Sequence, residues 1–213
     1  VMQAGYLQAL MPSDSQVSDW SVQAPEGWTR TSYRRASLAN WMTDPNRGAG
    51  KLAARVIVNR LWQHHFGRGL VATPNDFGVS GERPSHPELL EWLASDLVQH
   101  GWKLKRLHRL IMTSSVWMQS GDSDEARAQL DRENTLLWRR SPMRLEAEAI
   151  RDSMLSVSGL LDPQQFGPGT LDQNMRRRSI YFFIKRSQLI PMMMLFDWPE
   201  HLVSIGQRPV TTI

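Results

Sequence analysis

Residues 53–78 read AARVIVNRLWQHHFGRGLVATPNDFG, and the two halves of this stretch decide the architecture. At about 100° per residue, Ala54, Arg55, Ile57, Val58, Leu61, Trp62, His65 and Phe66 fill one wide arc of a helix. Asn59, Arg60, Gln63 and His64 fall on the other side. An arc this wide predicts a central helix over 51–66, covered by neighbours on several sides. Gly67 is placed to end it in the left-handed conformation that follows many helices. Residues 71–87 then carry Pro74, Asn75, Gly78, Gly81, Pro84 and Pro87, with Phe77 and Val79 to hold an ordered loop on the core. Arg55 sits between Trp62 and Phe66 in the apolar arc. Its guanidinium keeps its charge, so burial there demands a carboxylate or several carbonyls. Asp76 is the favoured partner and Glu146 the reserve.

Working outward, 1–30 is polar with scattered Trp20 and Trp28 and reads as an extended leader or linker. A short helix over 33–43 turns Leu38, Trp41 and Met42 inward and stops at Asp44-Pro45. Ser85, Pro87 and Glu88 match a capping box opening a helix over 86–99, with Leu89, Leu90, Leu93 and Leu97 on one stripe. Further helices are predicted over 104–118, with His108 as a core histidine bonded to a carbonyl, over 122–132, and over 144–158. SIYFFI at 179–184 is the one convincing strand. The fold class is therefore mainly α: a compact multi-helix domain over 31–213, with at most a small β element near 179–184.

Composition narrows the chemistry. The chain has 213 residues, 41% of them hydrophobic, and nine tryptophans. Its longest apolar run, which contains Pro191, is too short to span a bilayer, so no membrane insertion is expected. It contains no cysteine, which excludes disulfides, thiolate metal sites, cysteine nucleophiles and thioether-linked haem. Although the formal net charge is +4, the signs alternate in blocks. Residues 30–70 hold eight bases and one acid, 71–100 hold five acids and one base, and 101–120 hold four bases and no acid. Blocks of this kind neutralise one another in the fold, whereas a nucleic-acid binder concentrates its charge on one face. No specific nucleic-acid binding is expected. Arginine outnumbers lysine 21 to 4, which suits bidentate pairs with carboxylates.

Adjacent His64 and His65 diverge on a helix, and no metal-ligand spacing or nucleophile elbow occurs. No metal site and no cofactor are therefore expected. The most specific polar set is Arg55, Asn59, Asp76 and His86, a candidate ligand-binding group around the 71–87 loop. Read functionally, it lines a cleft for an anionic or sugar-like ligand, with Asp76 or His86 moving a proton. Read structurally, Arg55 and Asn59 pin the loop through its carbonyls and Asp76.

Several collinear segments resemble the domain of unknown function 1553. They are Leu38-Ala39 with Trp41, the run from Ala53 to Ala94, GWKLKRLHRLIMTS from Gly101, Leu137-Trp138-Arg139, RLEAEAIRDSML from Arg144, RRSIY from Arg177, and FDWP at 196–199. The resemblance implies an exported, multidomain polypeptide of planctomycete type, periplasmic or in the cell envelope, with a cytochrome c-like module upstream. It also implies a further helical segment past Thr212. Ile205 stands where the family often has cysteine, and Phe166 interrupts a common Gly-Gly pair. The family carries no assigned activity to transfer. The expected role is an interaction or scaffolding module whose partners are other domains of the same polypeptide, a protein or a polysaccharide. The alternative is a hydrolytic enzyme acting on carbohydrate, with its site completed by other segments.

Overall fold

The computed structural model describes residues 5–28, 30–199 and 204–210. It is mainly helical, with seven α-helices among the described residues and only isolated β-bridges. None of these helices is long and apolar enough to cross a membrane. The chain packs as two units, Val1–Ser141 and Pro142–Ile213. The sequence reading drew its boundaries elsewhere, with a leader over 1–30 and one domain over 31–213. The segment past Thr212, like Thr212 itself, lies outside the described residues.

In the first unit, α1 (Arg34–Thr43) leads to α2 (Gly50–Phe66), which packs most extensively on α3 (Pro87–Gln99), with α4 (Leu104–Met112) against both. Ala54, Val58 and Trp62 of α2 meet Leu90, Leu93 and Leu97 of α3 and Leu107 and Ile111 of α4 in one core. Gly67 ends α2 at φ 84°, in the left-handed region expected for it. Upstream, Trp20 is buried beside Trp41 and Ala49 and donates its indole N–H to Asp44 at 2.8 Å. Tyr6 stacks on Trp41 at 5.2 Å, whereas Trp28 stays exposed.

Several local expectations change. Leu38 and Met42 of α1 are exposed, because Ser37 and Trp41 face the core instead. Helix α4 ends at Met112 rather than near 118, where Ser114 turns back to accept from the Trp117 N–H, and Met118 is exposed. The polar segment after 122 forms only the short α5 (Glu125–Leu130).

In the second unit, α6 (Ala147–Val157) and α7 (Pro191–Met194) share a core of Ala147, Met175, Phe182, Ile190, Met193 and Trp198. SIYFFI does not make a strand. Ser179–Tyr181 is a 3-10 turn, followed by a bridge from Phe182 to Thr170. A strand needs a partner ladder along its length, and only Thr170 answers here, accepting from the Phe183 N–H at 2.8 Å.

Candidate functional site

Of the two residues expected to pin the 71–87 loop, Asn59 does so and Arg55 does not. Asn59 is 1% exposed and pairs with Val71 on both sides of its amide. It donates Nδ2 to the Val71 carbonyl at 3.0 Å and accepts the Val71 N–H at 2.8 Å. The amide thus replaces a missing strand partner for a buried backbone position. A Cβ on Gly69 would lie 2.7 Å from the Asn59 amide nitrogen, so only glycine lets the loop come this close. Thr73 extends the scaffold by accepting the Glu82 N–H at 2.9 Å and donating to the Asp76 carbonyl at 2.8 Å.

Arg55 takes no part in this clamp. It is exposed and pairs with Glu91 of α3, neither buried nor joined to Asp76. Arg55 and Asn59 lie only about 40° apart around α2 but a turn apart along it. Asn59 meets the buried backbone of Val71, whereas Arg55 comes within reach of Glu91 on α3. The reserve partner Glu146 pairs instead with Arg208, at 3.6 Å. Asp76 is half-buried and accepts the Gly78 N–H at 2.8 Å, holding its own turn. His86 occupies the N-cap position of α3 without capping it, and its ring contacts the Ser85 hydroxyl at 3.0 Å. Ser85 donates to the Leu70 carbonyl at 3.3 Å, so the expected capping box does not form. No hydrogen bond or ion pair joins any two of Arg55, Asn59, Asp76 and His86 among the described residues. Arg55 borders an open hollow of about 760 Å³ together with Pro74, Asn75 and Phe77.

His108 is bonded to another imidazole rather than to a carbonyl. His65 Nε2 and His108 Nδ1 lie 2.8 Å apart, joining α2 to α4. The His65 ring meets Trp117 edge-on at 4.9 Å, and the Arg140 guanidinium covers that indole at 3.4 Å. Burial, then the positive fields of His108, Arg140 and His64, hold the His65 imidazole below its ordinary pKa. The contact needs one ring nitrogen to donate and the other to accept.

The densest charged constellation lies in the second unit, and residue-by-residue reading missed it. Asp197 stands at φ 58° in the FDWP turn and receives the Arg144 guanidinium, with side chains 11% and 16% exposed. Trp198 donates its indole N–H to Glu148 at 2.8 Å. Arg208 grips the same carboxylate with two nitrogens, at 2.6 and 3.0 Å. Burial pushes the Glu148 carboxyl up, but the Arg208 fork, its own backbone N–H and the Trp198 indole outweigh this and hold it below the usual range. One turn along α6, buried Arg151 donates to the carbonyls of Met175 and Arg177 and to the Ser179 hydroxyl, with Phe182 4.7 Å beneath it. The signal was present in RLEAEAIRD and FDWP, but only folding brings Arg144 to Asp197 and Glu148 to Trp198. The carboxylates are ionised acceptors held by arginine and indole donors, an arrangement that fixes the shape of the α6 end.

The structure thus defines a mainly helical protein of two separately cored units, one clamped by a buried asparagine and the other by arginine–carboxylate pairs. The chain belongs to the family described as protein of unknown function (DUF1553), PSD1, whose model matches residues 34–213. No curated protein and no solved structure matches it.

Proposed function

We propose that this chain is a non-catalytic interaction module whose second unit is covered by another protein domain of a longer, exported polypeptide. The carrying observation is the apolar surface of that unit. Val157 is 91% exposed, Phe166 80%, Ile180 74% and Ile184 64%, beside a core of six buried hydrophobic residues among those described. Covering a large aliphatic or aromatic side chain of this kind stabilises an assembly by roughly 1.5–3 kcal/mol. Ile180, Phe183 and Ile184 come from one segment whose backbone is held by Thr170, so the segment is ordered before any partner arrives. Arg178, Lys185 and Arg186 flank it, which favours a partner with an apolar centre and an acidic rim. The family resemblance supports the multidomain setting and the export.

Cross-linking of the intact polypeptide, read by mass spectrometry, tests this. Lys185 is expected to link to residues outside 1–213, and Phe183→Glu is expected to remove those links. Links from Lys185 confined to this chain, unchanged by Phe183→Glu, would refute the proposal.

A further inference from the structure

The turn between α3 and α4 gathers positive charge around an open hollow of about 730 Å³. His100, Lys103, Lys105, Arg106 and Arg109 line it, and the segment 101–120 supplies four bases and no acid. One carboxylate organises the group. Asp96 is 7% exposed and takes the Arg106 guanidinium side-on, from Nε and from the terminal nitrogen, each at 2.9 Å. The same carboxylate lies 3.2 Å from His100 Nδ1, whose ring also contacts the Asp96 carbonyl at 2.9 Å. Arg106 and His100 are therefore held in place while remaining accessible. Lys103, Lys105 and Arg109 are exposed and enter no ion pair among the described residues. Four cations against one carboxylate leave this face with uncompensated positive charge.

A flat apolar surface continues the face. Trp92 is 56% exposed and precedes Asp96 and Gln99 on one stripe of α3, at spacings of four and seven residues. Gln99 lines the hollow, so the indole lies about 10 Å along the helix axis from its edge. One turn further back, exposed Glu88 reverses the sign of the charge.

We propose that this face of the first unit binds an anionic oligosaccharide. A sugar carboxylate or sulfate occupies the cationic hollow, and a neutral sugar ring packs its C–H face on Trp92. The Arg106 plane and the lysine ammoniums suit such oxyanions, and the indole offers the ring a rigid apolar platform. Glu88 selects against a polynucleotide, which carries a phosphate on every unit and would set one against this carboxylate. A glycan places an uncharged ring there. This inference concerns only the first unit and is independent of the protein contact proposed for the second.

The test is calorimetric titration of the full chain with four probes: a hexamer of alternating glucuronic acid and neutral sugar, its methyl ester, a hexamer of alternating sulfated and neutral sugar, and a single-stranded DNA hexamer. At least one anionic sugar hexamer is expected to bind, and the uronate and sulfate arms show which group is taken. The ester and the DNA are expected to bind at least about tenfold more weakly than that hexamer. The double variant Lys103→Glu with Arg109→Glu should lower affinity at least about tenfold, and the milder Lys105→Gln roughly twofold. Trp92→Ala should lower it about fivefold while leaving its dependence on salt unchanged. Circular dichroism of each variant confirms that the helices persist. Failure of both anionic sugars to bind, equal binding of the ester or the DNA, or indifference to Lys105→Gln and Trp92→Ala would overturn the proposal.

Discussion

Replacing Asn59 by alanine removes both hydrogen bonds that hold the start of the 71–87 loop. Val71 is 2% exposed, so its N–H and carbonyl would be left buried without partners. Each stranded group costs roughly 1–3 kcal/mol. The amide also leaves a void beside Gly69. The expected loss is about 3–5 kcal/mol, a large share of the 5–15 kcal/mol that stabilises a typical domain. Asn59→Asp should be no better, since it retains the acceptor for the Val71 N–H but faces the carbonyl with a second oxygen. Urea unfolding followed by far-ultraviolet circular dichroism measures the loss, and hydrogen exchange at the Val71 amide locates it. Arg55→Ala is the matched control. Its pair with Glu91 is exposed and should be worth no more than about 1 kcal/mol. If Asn59→Ala costs under about 1 kcal/mol, or if Arg55→Ala costs more than it does, the buried amide is not what pins the loop.

The same clamp predicts that Gly69→Ala destabilises by about 2 kcal/mol and is strongly sub-additive with Asn59→Ala, because both disturb one contact; a double-mutant cycle in urea checks this. In the second unit, Asp197→Ala strands a mostly buried guanidinium on Arg144 and should cost about 3–5 kcal/mol in thermal or urea unfolding. The histidine pair makes the first unit sensitive to mild acid. The folded His65 pKa lies below the ordinary value of about 6.5, so the unfolded chain binds the proton more readily. This contribution is complete above about pH 6.5 and is lost as the pH falls from there through the folded value. Urea midpoints measured from pH 7.5 down to pH 5 should fall, and His65→Gln should flatten that slope.

Local pattern determined most of the helical inventory. The apolar spacing of Ala54, Val58 and Trp62, the leucine stripe of 90, 93 and 97, and a glycine ready for positive φ at 67 depend only on a helix's own period and stop signal. Family membership was legible for a similar reason, since collinear motifs survive without knowledge of what they touch. Tertiary structure alone decided which polar side chains go inside. Asn59 and Arg55 are both polar residues on one helix, and their azimuths differ by little more than a turn's remainder. The buried one is set by the unpaired backbone of Val71 on one side and the carboxylate of Glu91 on the other. SIYFFI has the composition of a strand, but a strand exists only if another stretch offers a ladder, and Thr170 offers one bridge. The Arg144–Asp197 and Glu148–Trp198 contacts join residues about fifty positions apart. No periodicity along the chain encodes such a meeting, because it depends on how α6 and the FDWP turn pack, and packing is a property of the whole core.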